Sequence, residues 1–135
     1  MRKSTFKYIE AQLYLHQENK KMIKEIEYNI MFTKPHTDEN IGGGKSNTIV
    51  SKVENSVIKL DSNKKLYTIR KIVSTVDDVY EHMSEPYQKL IELKYFKRNQ
   101  YTWRGICEEL HVSRATAFRM RRKIIDEIAD RLGLI

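Results

Sequence analysis

The chain of 135 residues has a single cysteine, four scattered histidines and no apolar run of membrane-spanning length. One cysteine excludes an internal disulfide and fits a reducing cytoplasm. The histidines lack metal-ligand spacing and cysteine partners, so neither a metal nor a cofactor is expected. No signal-peptide pattern and no transmembrane segment are found. No stretch presents a recognisable active site, and an enzyme is therefore the least favoured class.

Basic side chains are in excess along this chain. It has 25 Lys/Arg against 18 Asp/Glu, a formal charge of +7 and a pI near 9.4. That balance favours a polyanionic partner, most simply nucleic acid. The aromatic residues do not form the alternating strand motif of common RNA-binding modules. Double-stranded DNA is therefore the expected partner.

The pattern of residues 84–135 predicts three helices that form a helix-turn-helix DNA-binding domain. Ser84 suits the N-cap and Pro86 the first turn of a supporting helix that runs to about Lys97. Thr102 suits the N-cap of a short second helix. The inner face of that helix carries apolar side chains at helical spacing: Trp103, Ile106, Cys107 and Leu110.

The final helix follows a tight turn at His111–Val112 and is predicted to begin at the N-cap Ser113 and to stop before Gly133. Its core-facing stripe consists of Ala117, Met120, Ile124, Ile128 and Leu132. Its outward face consists of Arg114, Ala115, Phe118, Arg119 and Arg122. Positions 114–123 hold five basic residues and no acidic one. An ordinary amphipathic helix with a solvated charged face is the alternative interpretation.

A helix with this face suits the major groove of DNA. Guanine presents two adjacent acceptors there, and arginine can meet both of them bidentately. The helix N-terminus adds peptide N–H groups that phosphates can use. The expected base contacts are Arg114, Arg119 and Arg122, with Phe118 available for a thymine methyl group. The expected phosphate contacts are Ser113, Thr116, Arg104, Arg121 and Lys123.

The remaining residues are also predicted to be helical, except for one loop. Segment 1–33 is interpreted as one N-terminal helix over 4–32, which serves oligomerisation or partner contact, or packs on the same chain. Segment 34–45 is a glycine-rich loop or hinge. Its GGGKS string is not a phosphate-binding loop, because Glu39 stands where that motif needs glycine. Segment 46–83 carries two apolar stripes that differ in phase, which favours a break or kink near Asp61. The expected fold class is all-α.

The string ICEELHVSRATAFRMRRKII resembles the helix-turn-helix in the promoter-reading C-terminal domain, region 4, of bacterial sigma factors. Three positions depart from that pattern. Cys107 replaces a usual alanine, His111 a usual glycine at the turn, and Ala117 a usual valine. Histidine is less suited than glycine if the turn needs a positive φ.

The segment TDENIGGGKSNTIVSK, ahead of a helical region and a C-terminal module that ends RKIIDEIADRLG, resembles the RinA family. The family-like loop positions are Thr37, Asp38, Asn40, Ile41, Gly42 and Gly43. Members are small activators that switch on the late packaging and morphogenesis operon of phages and prophages in Gram-positive bacteria. The resemblance therefore implies activation of a late promoter together with host RNA polymerase, in the cytoplasm of the host cell.

Two other functions remain open at this point. One is a DNA-packaging adaptor of the small-terminase kind, which also joins a helix-turn-helix to helical oligomerisation segments. The other is a polymerase-interacting module without its own DNA specificity. A single helix-turn-helix buries little surface, so a homo-oligomer or a polymerase partnership is expected in addition.

Overall fold

The computed structural model describes residues 1–32 and 64–135, and within these ranges it contains helices and no strand. The all-α prediction is confirmed. The α-helices are α1 Lys3–Tyr14, α2 His16–Phe32, α3 Lys64–His82, α4 Glu85–Ile91, α5 Trp103–Leu110 and α6 Arg114–Arg131. The predicted loop at 34–45 and the predicted break near Asp61 lie outside the described residues. None of the described helices is long and apolar enough to span a membrane.

The contacts divide the chain into two compact units. The larger unit consists of Met1–Asn19 and Lys71–Ile135, and the smaller unit consists of Lys20–Arg70. This grouping differs from the four consecutive segments predicted from the sequence, because the start of the chain joins its C-terminal half. The core of the larger unit is formed by Ile9, Leu13, Val76, Val79, Leu90, Ile91, Leu93, Tyr95, Ile106, Met120, Ile124, Ile125, Ile128 and Ala129.

Helix α1 packs on the same chain, one of the two alternatives that the sequence left open for this segment. It contacts α6 and the turn that follows α4. Ile9 and Leu13 are fully buried in this contact. Burial of such an aliphatic side chain contributes about 1.5–3 kcal/mol relative to leaving it exposed. The N-terminal helix is therefore part of the core that also contains α6.

The prediction of one continuous helix over 4–32 was wrong. Helix α1 ends at Tyr14, Leu15 has φ −89° and ψ 0°, and α2 begins at His16. His16 is buried, with its Nε2 2.8 Å from Oδ1 of Asp77 and its ring stacked on Phe96. The polar stretch that interrupts the apolar stripe thus begins with a buried side chain that contacts Asp77 and Phe96.

The supporting helix differs in two details from the prediction. Ser84 occupies the N-cap in an extended conformation, but its side chain caps no N–H group. Pro86 stands in the first turn, as the sequence predicts. After α4 the chain widens into a π-helical turn, Glu92–Phe96, which is closed by the N–H of Lys97 donating to the carbonyl of Glu92 at 2.9 Å.

Helices α5 and α6 are joined by the short turn predicted from the sequence. His111 adopts the left-handed conformation with φ 55° and ψ 45°, and the N–H of Val112 donates to the carbonyl of Cys107. Helix α6 ends in a Schellman arrangement around Gly133, whose φ is 73°. There the N–H of Leu134 donates to the carbonyl of Ala129 at 2.8 Å. The predicted stop at Gly133 is confirmed.

The described part of the smaller unit consists of residues 20–32, most of α2, and residues 64–70, the start of α3. Leu66 is fully buried there. Arg70 donates through Nη2 to Oε1 of Glu27 at 2.6 Å. Tyr28 and Phe32 lie ring to ring one turn apart on α2, and both are largely exposed.

Candidate nucleic-acid interface

The N-terminus of α6 is fixed by the serine that the sequence predicts as its cap. The Ser113 hydroxyl oxygen accepts from the N–H of Thr116 at 3.1 Å, and the same hydroxyl donates to Oγ1 of Thr116 at 3.0 Å. Thr102 caps α5 in the same way, because its Oγ1 accepts from the N–H of Gly105 at 3.1 Å. Such caps typically contribute about 1 kcal/mol to helix stability. Both predicted caps of the helix-turn-helix are confirmed.

The outward face of α6 presents basic side chains to solvent. Arg114, Arg119 and Arg122 are exposed, and Ala115 between them is exposed as well. The opposite side of the helix is buried against the core, as the apolar stripe predicts. Three guanidinium groups therefore project from the first three turns of one helix. The first two of these turns directly follow the capped N-terminus of α6, where the peptide dipoles favour anions.

Phe118 is only partly exposed on this face. Its ring packs edge-on against Trp103, with centroids 5.1 Å apart and planes at 82°. The guanidinium carbon of Arg114 lies 5.1 Å from the centroid of the same ring. Phe118 thus supports Arg114 and joins α6 to α5, and only part of its ring remains open to a thymine methyl group.

Arg121 lies in the contact between α6 and α1. Its guanidinium carbon lies 5.1 Å from the Phe6 centroid, 5.1 Å from that of Trp103 and 4.9 Å from that of Phe118. Its Nη1 is 3.4 Å from Oε2 of Glu10, and its side chain is 25% exposed. The structure thus packs Arg121 against three rings and Glu10, and the phosphate contact predicted for it stays a prediction.

Glu10 belongs to a small polar network with Tyr95 and Arg121. Its Oε2 accepts from the Tyr95 hydroxyl at 2.8 Å and faces Arg121. Burial raises the pKa of Tyr95, and the hydrogen bond to the Glu10 carboxylate raises it further. Sequence reasoning missed Glu10 and Phe6 as neighbours of α6. No local pattern could pair Glu10 with Arg121, which stands 111 positions away.

The two remaining predicted phosphate contacts, Lys123 and Arg104, lie on different parts of the surface. Lys123 is exposed, and its Nζ lies 5.3 Å from the Tyr87 centroid, on the side of α6 that faces α4. Arg104 on α5 is 90% exposed, with its Nε 3.5 Å from Oε1 of Glu108. An exposed pair of this kind contributes about 0–1 kcal/mol, so Glu108 scarcely restrains Arg104.

Within the described ranges the structure groups no His, Cys, Asp and Glu side chains that could hold a metal ion. Cys107 is a free thiol on α5, partly buried. The most distinctive surface of the larger unit is thus the row of exposed arginines on α6. This row begins next to the capped N-terminus of α6, and α1 packs against the same helix.

The chain belongs to a protein family whose model matches residues 1–130 and which is described as a protein of unknown function, DUF722. It is similar to the "Transcriptional activator rinA" of Staphylococcus phage phi11. The two are 28% identical over 130 residues, which cover 96% of this chain and 91% of that relative. The RinA-family resemblance drawn from the loop and the C-terminal module is confirmed. No solved structure matches the chain.

Proposed function

We propose that the protein is a sequence-specific DNA-binding activator of phage or prophage late genes, which acts with RNA polymerase in the cytoplasm of the host bacterium. The observation that carries the proposal is the exposed row of Arg114, Arg119 and Arg122 on a helix that follows a capped three-residue turn. The name of the phage relative supports activation as the outcome of binding. The likeness to region 4 of sigma factors remains part of this proposal.

In this mechanism α6 lies in the major groove, and its arginines read base edges. Arg119 and Arg122 lie one turn apart on the exposed face, and each can donate two hydrogen bonds to one guanine. Arg114 stands at the first turn, where it can reach a base or the adjoining phosphate. A bidentate arginine–guanine contact discriminates against a wrong base by about 1–3 kcal/mol.

Phosphate contacts supply the affinity that does not depend on sequence. Ser113 and Thr116 lie at the N-terminus of α6, where peptide N–H groups also favour an anion. Lys123 on α6 and Arg104 on α5 are both exposed and can reach phosphates that border the groove. Each phosphate that they neutralise releases counterions, so binding should weaken steeply with salt. Arg121 is left out of this set because Glu10 and three rings surround it.

A partnership with polymerase follows from the size of the module. One helix-turn-helix buries a small area on DNA, and modules of this size bind weakly alone. A polymerase that contacts the bound activator adds a second interface. Both interfaces then contribute to the affinity of the complex for DNA. A homo-oligomer would serve the same end by doubling the DNA contacts.

The proposal is tested by a footprint of the purified full chain across the DNA of its own genome at near-physiological salt. Protection just upstream of a promoter is the expected result, and the spacing of protected half-sites then gives the symmetry of binding. Protection beside packaging genes with no promoter nearby would favour the packaging-adaptor function instead. No discrete protection, with polymerase present or absent, would overturn sequence-specific binding.

The arginine-row variant Arg122→Ala and the control variant Arg131→Ala sharpen this test. Both residues are exposed arginines of α6, but Arg131 is its last residue, far from the capped turn. We expect Arg122→Ala to weaken or abolish the footprint and Arg131→Ala to leave it in place. Equal effects of the two substitutions would show that charge alone, and not the arginine row, determines binding.

A further inference from the structure

A basic surface occupies the first two turns of α1. Lys3 and Lys7 are both exposed, and the first turn of α1 contains no acidic residue. In an α-helix, residues spaced by three, four and seven positions lie on one face. Lys3, Phe6, Lys7 and Glu10 therefore share a face of α1.

This face of α1 is the one that adjoins α6. Phe6 and Glu10 both contact Arg121, at 5.1 Å from guanidinium carbon to ring centroid and 3.4 Å from nitrogen to oxygen. Phe6 also lines a shallow surface depression of about 350 Å³, together with Phe118, Arg119, Arg121 and Arg122. Two of those arginines belong to the proposed reading row. Lys3 and Lys7 thus lie on the side of α1 that borders the reading surface.

The position of α1 is fixed by its packing. Ile9 and Leu13, on the following turns, are fully buried in the core. The carboxylate of Glu10, the one acid on this face, is already engaged by Tyr95 and Arg121. The two lysines are consequently available to bind a partner outside the chain. Helix α1, which carries them, cannot leave α6 without exposing core side chains.

We infer that Lys3 and Lys7 bind the phosphates of one DNA strand at the edge of the groove that α6 occupies, an inference that rests on the proposed function. The major groove is about 12 Å wide, and a helix with its side chains nearly fills it. A second helix packed along the flank of the reading helix therefore meets a sugar–phosphate strand. Lysine suits this role, since it binds phosphate as a mobile point charge and carries no base preference.

The test is the double variant Lys3→Ala/Lys7→Ala in the full chain. Binding is measured by fluorescence anisotropy between 50 and 200 mM salt, on a duplex that carries the footprinted site and on an unrelated duplex. We expect affinity for both duplexes to fall by a similar factor, on the order of 10-fold, and the salt slope to fall by about 2, because each lost phosphate contact removes about 0.9. The ratio of the two affinities should not change.

The control is Lys71→Ala/Lys89→Ala, which removes the same charge from exposed positions on α3 and α4. Lys89 lies among Glu85, Gln88 and Glu92, a surface unsuited to DNA. The control should keep the wild-type salt slope. An unchanged slope in the α1 variant, or an equal loss in the control, would overturn the inference. If the α1 variant bound DNA normally but failed to activate transcription, the lysines would belong to a protein contact instead.

Failure of this inference and failure of the proposed function can be told apart. If the wild-type chain binds both duplexes equally and the α1 variant has a lower salt slope, the phosphate contact is supported and sequence-specific reading is refuted. Wild-type chain that binds neither duplex would refute both. If the wild-type chain prefers the footprinted site and the α1 variant has the same salt slope as the wild type, only the phosphate contact is refuted.

Discussion

At the scale of single residues, His111 determines the geometry of the turn between α5 and α6. It is the one residue other than glycine with a positive φ in the described ranges. The left-handed conformation costs an L-residue about 1–2 kcal/mol, and glycine escapes this cost. The turn thus has the backbone conformation that glycine favours, with histidine in that position.

Substitutions at His111 should therefore follow backbone preference. We expect His111→Val to lower the free energy of unfolding by about 1–2 kcal/mol, since a β-branched residue is least tolerant of positive φ. His111→Gly should be neutral or stabilising by roughly 0.5 kcal/mol, because its greater freedom in the unfolded chain offsets part of the gain. Urea denaturation measures both. A valine variant as stable as the wild type would contradict the role given to this backbone position.

At the scale of secondary-structure elements, the contact between α1 and α6 centres on Arg121. Removal of this side chain breaks an ion pair with Glu10 and leaves three ring faces without their cation. We expect Arg121→Ala to lower the free energy of unfolding by about 1–3 kcal/mol, from lost packing and cation–π attraction.

Arg122→Ala is the matched control for stability, because Arg122 is the exposed neighbour on the same helix. It should change the free energy of unfolding by no more than about 0.5 kcal/mol. Chemical denaturation of the two variants gives the comparison directly. If Arg121→Ala were as stable as Arg122→Ala and bound DNA more weakly than wild type, the sequence-based assignment of Arg121 to phosphate would be correct after all.

The contact between the end of α3 and the π-helical turn should stabilise the fold less at alkaline pH. The Tyr80 hydroxyl donates to the Glu92 carboxylate, and this hydrogen bond, together with burial, raises the pKa of Tyr80 to about 12. A raised pKa means that the neutral phenol stabilises the folded state. That stabilisation is complete below the usual tyrosine pKa of about 10 and is lost as the pH rises through about 12.

Tyr80→Phe should therefore be less stable than wild type at pH 8, by roughly 1–2 kcal/mol. The difference should shrink as the pH rises from 10 towards 12. Urea denaturation at pH 8, 10 and 11 measures it, with Tyr67→Phe as a control at an exposed tyrosine. A difference between Tyr80→Phe and wild type that stays constant over this range would rule out the hydrogen bond as its source.

At the scale of the whole molecule, features with a local cause could be predicted from the sequence. The caps Thr102 and Ser113, the stop at Gly133 and the buried stripe of α6 depend on neighbours within four or five positions. The break at Leu15 was not predicted, and neither was the contact beside it between His16 and Asp77, 61 positions away. The orientation of the Arg121 side chain towards α1 depends on Glu10. The sequence alone therefore does not distinguish Arg121 from the neighbouring arginines of α6.

The same long-range packing predicts that the segment 84–135 does not fold alone. Residues 84–135 lack Ile9, Leu13, Val76 and Val79, all of which are buried in the shared core. Loss of a single buried leucine side chain costs about 2–5 kcal/mol, and a domain has only about 5–15 kcal/mol to lose. A fragment of these residues should therefore show no cooperative thermal transition by circular dichroism. A sharp transition like that of the full chain would show that α1 and α3 are dispensable.

The central claim, that α6 reads bases through its exposed arginines, is tested most directly by selection from a random DNA library with wild type, Arg119→Ala and the control Arg131→Ala. We expect wild type and the control to select the same sequence. Arg119→Ala should lose preference at one base position and about 1–3 kcal/mol of affinity for the selected site. If Arg119→Ala selected the same sequence with the same affinity, the outward face of α6 would not be the reading surface.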